Sequence, residues 1–591
     1  MKTIDSLLTR LQHFQKHPPP TYALTAHLFR RFFDNEFVSE SGESHLGFLR
    51  ILVFLGLPSV FYVFYSYSPY DIIAQIAPGL YEPYSLRDQL GFVCVAMIVV
   101  GLVTILEWDA LFLDRLDFLT LVPLPLSVRR IFAAKILALL LFLSSVAIAV
   151  GGGGALLYPL VASIAKHVSF LGLCWWILLH GLSVAAASTF IFLSIVALRG
   201  LLAITLSPRW SEQASPYLQG LLMASFLVLS LMMPQVIWNI PALLRSGNQL
   251  IRILPPVWFL GLYRVMQGYK DAVYFMLAGR ALKGLAWVAG IASLTYLISY
   301  RRSLKGTLEI AQVPASDPWP VTQSLRRIAG NVFLRAPLER ASFAFIFDTL
   351  RGSRKHRLLL SAYAGVGAAV VLESLATLLA RGSTSSDRTA ILLAVPLLLS
   401  FFVLSGMRIV FEVPAEIEAS WVFQLTENKT RPELTSGVRK AMVVAGSVPL
   451  LTLLVPVWAL HLNLWQGVAA FVLDYFLALV LVEAMLWEYR KIPFTCTFHA
   501  AQSRSVVLWG ICWAAFTSYA YALAKGEGWA LSHPVALGIV LVFLLVGLGW
   551  IRIRNQQFLQ EGRPVKFSEE REPAVLTLDL SHCALHQDVQ P

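Results

Sequence analysis

Long apolar runs alternate with short charged stretches from one end of the chain to the other. Most runs approach or exceed the roughly 20 residues that a helix needs to cross a hydrocarbon core. About twelve spans follow from this pattern. The first six lie near residues 47–67, 90–107, 131–158, 168–198, 217–239 and 275–299. The second six lie near 357–380, 389–410, 440–460, 465–487, 505–523 and 533–553. None shows the ten-residue alternation of an outer-membrane barrel strand, and backbone in lipid must satisfy its own polar groups, so the runs predict helices. The pattern predicts an all-α polytopic membrane protein.

Composition agrees. Of 591 residues 57% are hydrophobic and 14% charged, with a mean hydropathy of +0.66; a soluble chain of this length carries about a quarter charged residues. The net charge of +12 does not point to nucleic acid, because the basic residues are confined to alternate loops. The first twenty residues have neither a long apolar core nor a small-residue cleavage site, so no secretory signal is expected. Cys94, Cys174, Cys496, Cys512 and Cys583 are scattered without a CxxC pair, which argues against a disulfide framework or a zinc site.

Lys and Arg placement sets an expected orientation. Arg30, Arg31 and Arg50, the segment from Arg301 to Arg357 and the tail with Arg552, Arg554, Arg563 and Lys566 are basic and should face the cytoplasm. Loops near 159–167, 461–464 and 524–532 carry almost no positive charge and should lie outside. Both termini are then cytoplasmic. Residues 240–274, with Arg245, Arg252, Arg264 and Lys270, break the rule, although they contain an apolar helix-like stretch of their own.

A Pro-rich, charged segment, TLEIAQVPASDPWPVTQSLRRIAG, divides the chain into two sets of six spans. Each set is preceded by an amphipathic stretch bearing Phe and Arg, at 22–37 and 342–357, suited to a helix lying in the membrane interface. Each set also places its longest charged cytoplasmic loop between its second and third spans. The expected organisation is an N-terminus with an interfacial helix (1–46), a first half (47–300), a linker with a second interfacial helix (301–356), a second half (357–553) and a tail (554–591). The halves read as a parallel repeat about an axis along the membrane normal.

Catalytic signatures are missing. No GxxxxGK followed by Ser or Thr occurs, and the glycines 151–154 lie inside an apolar run, where close helix packing is their simplest use. No HExxH or GxSxG is present. No catalytic residue, cofactor or metal is expected; the His582, Cys583 and His586 of the tail are read as solvated. His180, Glu373, Asp474 and Glu483 are the ionisable groups inside spans. Asp474 and Glu483 are nine residues apart, which places them on opposite faces of one helix. Polar groups bonded between helices account for these four more simply than a proton relay does.

The loop at 107–135, EWDALFLDRLDFLTLVPLPLSVRRIFAAK, is richer. Asp109, Asp114 and Asp117 recur on one side of a short expected helix, Pro123 and Pro125 impose a turn, and Ser127 can cap a long helix beginning with Arg129 and Arg130. Trp108, Phe112, Phe118 and Leu121 call for burial against something.

This run resembles the Asp, Leu-Pro-x-Ser-x-Arg, Ala-Lys pattern between the second and third spans of type-2 ATP-binding-cassette exporter permeases. The interfacial stretches resemble the elbow helices of that family, LPPVWFLGLYRVMQG (254–268) resembles its Pro-x-Trp-Phe segment, and KIPFTCTF (491–498) is similar to a segment of its large fused members. In the second half VPAEIEASWVFQLTEN from Val413 and SGVRK from Ser436 occupy the corresponding place without the Leu-Pro-x-Ser form. Six spans per chain is the family's commoner arrangement, so this chain resembles two permease halves fused.

The resemblance implies a permease subunit of an exporter in the bacterial inner membrane, driven by a separate ATPase. Docking falls to Asp114, Asp117, Pro123, Pro125, Ser127, Arg129 and Lys135 in one loop and Glu416, Glu418, Glu427 and Arg439 in the other. Few charges in the spans suit an apolar or amphipathic substrate, with membrane lipids as the other partner. Two rivals stand beside this reading. A secondary transporter of the major-facilitator kind calls for a short GxxxDRxGRR-like loop that the chain lacks. A structural or assembly subunit without transport activity calls for no residue at all.

Overall fold

The computed structural model describes residues 20–32, 44–65, 70–112, 121, 125–164, 168–245, 251–309, 334, 336–380, 385–415, 431–461, 463–487, 489, 492–495 and 503–560. Among these residues there are helices and no strands, and ten of the helices are long and apolar enough to cross a membrane. The chain is an all-α, multi-pass membrane protein. By its contacts it divides into two units, residues 1–317 with 364–381, and residues 318–363 with 382–591. Asp114, Asp117, Pro123, Phe118, Glu416, Glu418, Glu427 and the His582, Cys583, His586 group lie outside the described residues.

The helices of the first unit are α1 (Pro20–Arg30), α2 (Ser44–Tyr65), α3 (Tyr70–Ile76), α4 (Pro78–Leu106), α5 (Val128–Ile164), α6 (Phe170–Thr205), α7 (Pro208–Arg245), α8 (Pro255–Met266) and α9 (Ala272–Glu309). Leu24, Leu28 and Phe32 recur at four-residue spacing and are buried, which turns one face of α1 onto α5; Phe32 stacks on Phe142 at 4.4 Å. α4 is the central helix, buried at Leu86, Leu90, Phe92, Val93 and Ala96, and packs against α6 and α7. α5 lies against α2 and α6, and α6 against α9. The glycine run in α5 permits this approach, since a Cβ at Gly153 would stand 2.6 Å from Val60 of α2 and one at Gly154 2.9 Å from Phe92 of α4. Ser169 caps α6 by accepting from the Gly172 amide at 3.3 Å. The helix-like stretch inside residues 240–274 is α8, which opens on prolines and stops before Gly268, whose φ of 94° suits glycine alone.

The helices of the second unit are α10 (Pro337–Gly352), α11 (Arg354–Ala380), α12 (Ser385–Val410), α13 (Arg431–Met442), α14 (Val448–His461), α15 (Leu464–Met485), α16 (Ser503–Ser532) and α17 (Pro534–Gln560). Residues 364–380 of α11 group with the first unit. Phe343, Ile346 and Leu350 form the buried face of α10, which packs on α13. A π-helical turn, Val443–Ser447, joins α13 to α14, bringing Gly446 against Leu404 and Met407 of α12. α12 packs against α15 and α16, α14 against α15, and α15 against α17.

Two loop expectations are corrected. Residues 524–532 are helical: α16 continues to Ser532 and buries Ala524, Glu527 and Ala530. α5 likewise runs to Ile164, through residues read as external loop.

Candidate functional site

The first charged loop is rooted at both ends. Trp108 is wholly buried and its indole N–H donates to the Ser215 hydroxyl of α7 at 2.7 Å, while the Gln219 side chain donates to the Ile105 carbonyl at 2.6 Å. Arg199 of α6 lies over Phe112 at 5.0 Å and reaches Asp109 at 3.8 Å. The burial that Trp108 and Leu121 require is therefore supplied by the chain itself. At the far end Ser127 holds the N-cap position of α5, its carbonyl accepting from Arg130 at 2.8 Å and Ile131 at 3.2 Å. Pro125, Ser127 and Arg129 are exposed.

Lys135 does not behave as a docking residue. It is 1% exposed, with its ammonium 5.1 Å from the Phe32 ring centre, so α1 covers it. Arg439 is corrected in the same way. It sits in the interior of the second unit, 2.5 Å from Glu483. A Lys or Arg in a basic stretch reads as a surface charge, and only the packing of the chain shows that these two are covered, Lys135 beneath Phe32 and Arg439 against Glu483 of α15.

The root of the second loop, just after α12, is clamped by residues 492–495. The Phe494 amide donates to the Phe411 carbonyl at 2.8 Å and the Ala415 amide donates to the Phe494 carbonyl at 3.1 Å. Phe494 adopts a φ of 65°, rare for a bulky residue, and its ring meets Phe345, His356 and Phe411. His356 Nε2 lies 2.9 Å from the Val413 carbonyl.

The four ionisable residues inside spans separate. His180 is enclosed by Phe92, Tyr158 and Tyr263, with Nδ1 3.1 Å from the Tyr263 hydroxyl. Glu373 accepts from Gln235 at 3.5 Å. Glu483 and Asp474 turn to different helices: Glu483 meets Arg439 of α13 and Asn555 of α17, whereas Asp474 bears on Glu527 of α16. Asp474 and Glu527 are 2% and 4% exposed, and none of their four carboxylate oxygens has a hydrogen-bond partner among the described residues.

A polar cluster that sequence reasoning passed over lies in the first unit. Asp88 pairs with Arg87 at 2.7 Å and accepts from the Tyr70 hydroxyl, and Arg87 lies over the rings of Tyr84 and Trp238. Burial, with Tyr158 and Asp88 adding, raises the Tyr70 phenol far above its usual range, so it stays protonated as donor. Next to this pair is a cavity of about 280 Å³ lined by Tyr81, Ser85, Gln89, Tyr158, Trp176 and Tyr269 among others. Arg264 stands behind its wall, fully buried, donating to Ser85 at 3.3 Å and lying over Tyr269 at 4.8 Å. Two signals in the sequence point here: the run Arg87, Asp88, Gln89 near the start of an apolar span, and Arg264 as an exception to the positive-inside rule. Among the described residues no group of three or more His, Cys, Asp or Glu is placed to hold a metal.

The chain matches no protein-family model, no curated protein and no solved structure.

Proposed function

We propose that the chain is the membrane-spanning permease subunit of an ATP-binding-cassette exporter in a bacterial inner membrane, driven by a separate ATPase, with both termini in the cytoplasm. The observation that carries the reading is the construction of the 107–135 loop. Its ends are fixed by Trp108 and Lys135 while Pro125, Ser127 and Arg129 stay exposed, as a lever needs if it is to pass a push on its tip into α4 and α5.

Equivalent pairings in the two units support two fused six-helix halves. The amphipathic helix before the first span packs on the third span in both, as α1 on α5 and α10 on α13. Second on fourth (α4 on α6, α12 on α15), second on fifth (α4 on α7, α12 on α16), third on fourth (α5 on α6, α14 on α15) and fourth on sixth (α6 on α9, α15 on α17) recur likewise. With Lys135 and Arg439 buried, docking rests on Asp114, Asp117, Pro123, Pro125, Ser127 and Arg129 and on Glu416, Glu418 and Glu427. The transported molecule is apolar or amphipathic.

Reversing Asp114 and Asp117 to Lys tests this. Loop charges outside lipid contribute about half a kcal/mol or less to stability, whereas like charges juxtaposed at an interface cost several kcal/mol. Insertion and melting of the double variant should match the parent, and co-purification with the ATPase should be lost. Undiminished co-purification, or the absence of any ATPase partner, would favour the non-transporting scaffold.

A further inference from the structure

We infer that Asp474 of α15 and Glu527 of α16 form a proton-binding pair inside the second unit, each carboxyl carrying its proton at neutral pH. The inference concerns that unit alone and does not depend on an ATPase driving the chain.

Height along the bundle brings the two together. α15 and α16 pack on each other, and both pack on α12. Arg408 of α12 donates to the Met485 carbonyl of α15 at 3.1 Å. α12 and α15 run in the same direction, since one span, Glu433–Pro456, separates them, and eleven residues back along each lie Leu397 and Asp474. A Cβ on Gly528 of α16 would stand 3.7 Å from Leu393 of α12, which sets Glu527 about one turn from the level of Asp474. The two carboxyls bear on each other's charge across this gap. Asp474 is also about 15 Å from either end of α15, in the middle of its span.

No described cation answers them. Asp474 and Glu527 are 2% and 4% exposed, and all four of their oxygens lack a hydrogen-bond partner among the described residues. The other acid of α15, Glu483, is committed to Arg439 and Asn555. Arg408 of α12 pairs with Glu412, and Lys440 of α13 with Glu339. Lys525 of α16 is exposed and lies over Tyr521, His533 beyond its end is exposed and turned to Ser532 and Trp529, and Arg552 and Arg554 are exposed at the far end of α17. α14 contributes no Asp, Glu, Lys or Arg. Two neighbouring anions without cation or donor, in a bundle that lipid surrounds, would be uncompensated buried charge, which a carboxyl escapes by keeping its proton. A metal ion would balance them only with further ligands, and no group of three or more His, Cys, Asp or Glu assembles among the described residues.

The test is infrared spectroscopy of the full chain purified in detergent, at about pH 7, roughly three pH units above ordinary carboxyl values. The parent should show a protonated-carboxyl C=O band that Asp474→Asn and Glu527→Gln each reduce and the double variant lacks, and exchange of sodium for choline should leave the band unchanged. Dicyclohexylcarbodiimide, an apolar reagent whose C=N bond takes up a carboxyl oxygen at carbon and the acid proton at nitrogen, should label Asp474 or Glu527. It should spare Glu483, which is equally buried but ion-paired. Because the double variant can fail to fold, the single variants, each retaining one acid, carry the same decision. A band identical in the parent and every variant, its loss in sodium, or equal labelling of Glu483 would overturn the inference.

Discussion

Arg439 of α13 and Glu483 of α15 meet at 2.5 Å with both side chains almost out of solvent, and Asn555 of α17 donates to the same carboxylate at 3.3 Å. Three helices of the second unit thus converge on one charge. Removing a single partner of a buried pair strands the other, which typically costs about 3–5 kcal/mol. Glu483→Ala is expected to lower the melting midpoint strongly, and Arg439→Met with Glu483→Met is expected to recover most of the loss, because apolar replacement of both charges is often neutral. A double variant as unstable as the single one would mean that the pair is not the unit that matters.

Asp474 and Glu527 present the opposite case. Their carboxylates are buried on facing helices, with no hydrogen-bond partner among the described residues, so nothing in the described fold rewards their charge. Asp474→Asn and Glu527→Gln keep the shape and remove the charge. Each is expected to leave the melting midpoint in detergent unchanged or raise it. A fall of the kind expected for Glu483→Ala would show that the carboxylates hold something that amides cannot.

Helices and their apolar character are legible because lipid imposes one rule on every span: about 20 apolar residues in a row. The same rule hides what happens inside. Lys135 lies about two turns into α5, which opens at Val128, in a basic stretch that reads as surface until α1 is seen to cover it. Arg439 reads as surface for the same reason until Glu483 of α15 is seen to meet it. Residues 524–532 read as a loop past the apolar run, although a helix carries Lys525 and Glu527 there, one exposed and the other turned inwards. The Arg264 cavity is least legible, because it assembles from α4, α5, α6 and the turn after α8, and no local pattern records that meeting.

The buried root of the first loop separates anchoring from docking. Trp108→Ala removes a fully buried ring and its bond to Ser215, a loss of about 3–5 kcal/mol by the usual scale for large aromatic truncations. Lys135→Glu places an anion beneath Phe32, where a cation now sits. Both variants are expected to lower the melting midpoint in detergent, whereas Arg129→Glu, at an exposed position, should leave it within error. Equal effects at Arg129 and Lys135 would remove the distinction.

The expected orientation can be checked from the turn between α16 and α17. Ser532 and His533 are exposed there, and Lys and Arg are sparse around them, whereas the segment at 301–357 is dense in both. A long run of helix separates that turn from the basic end of α17, since Pro534 to Arg552 spans about 27 Å at 1.5 Å per residue, close to the thickness of a hydrocarbon core. In a chain stripped of its native cysteines, Ser532→Cys is therefore expected to react with a membrane-impermeant maleimide added to intact cells. Ser316→Cys should react only after the cells are opened. Reaction at Ser316 but not at Ser532 in intact cells would invert the protein, place the 107–135 loop on the outer face, and leave a cytoplasmic ATPase nothing to grip.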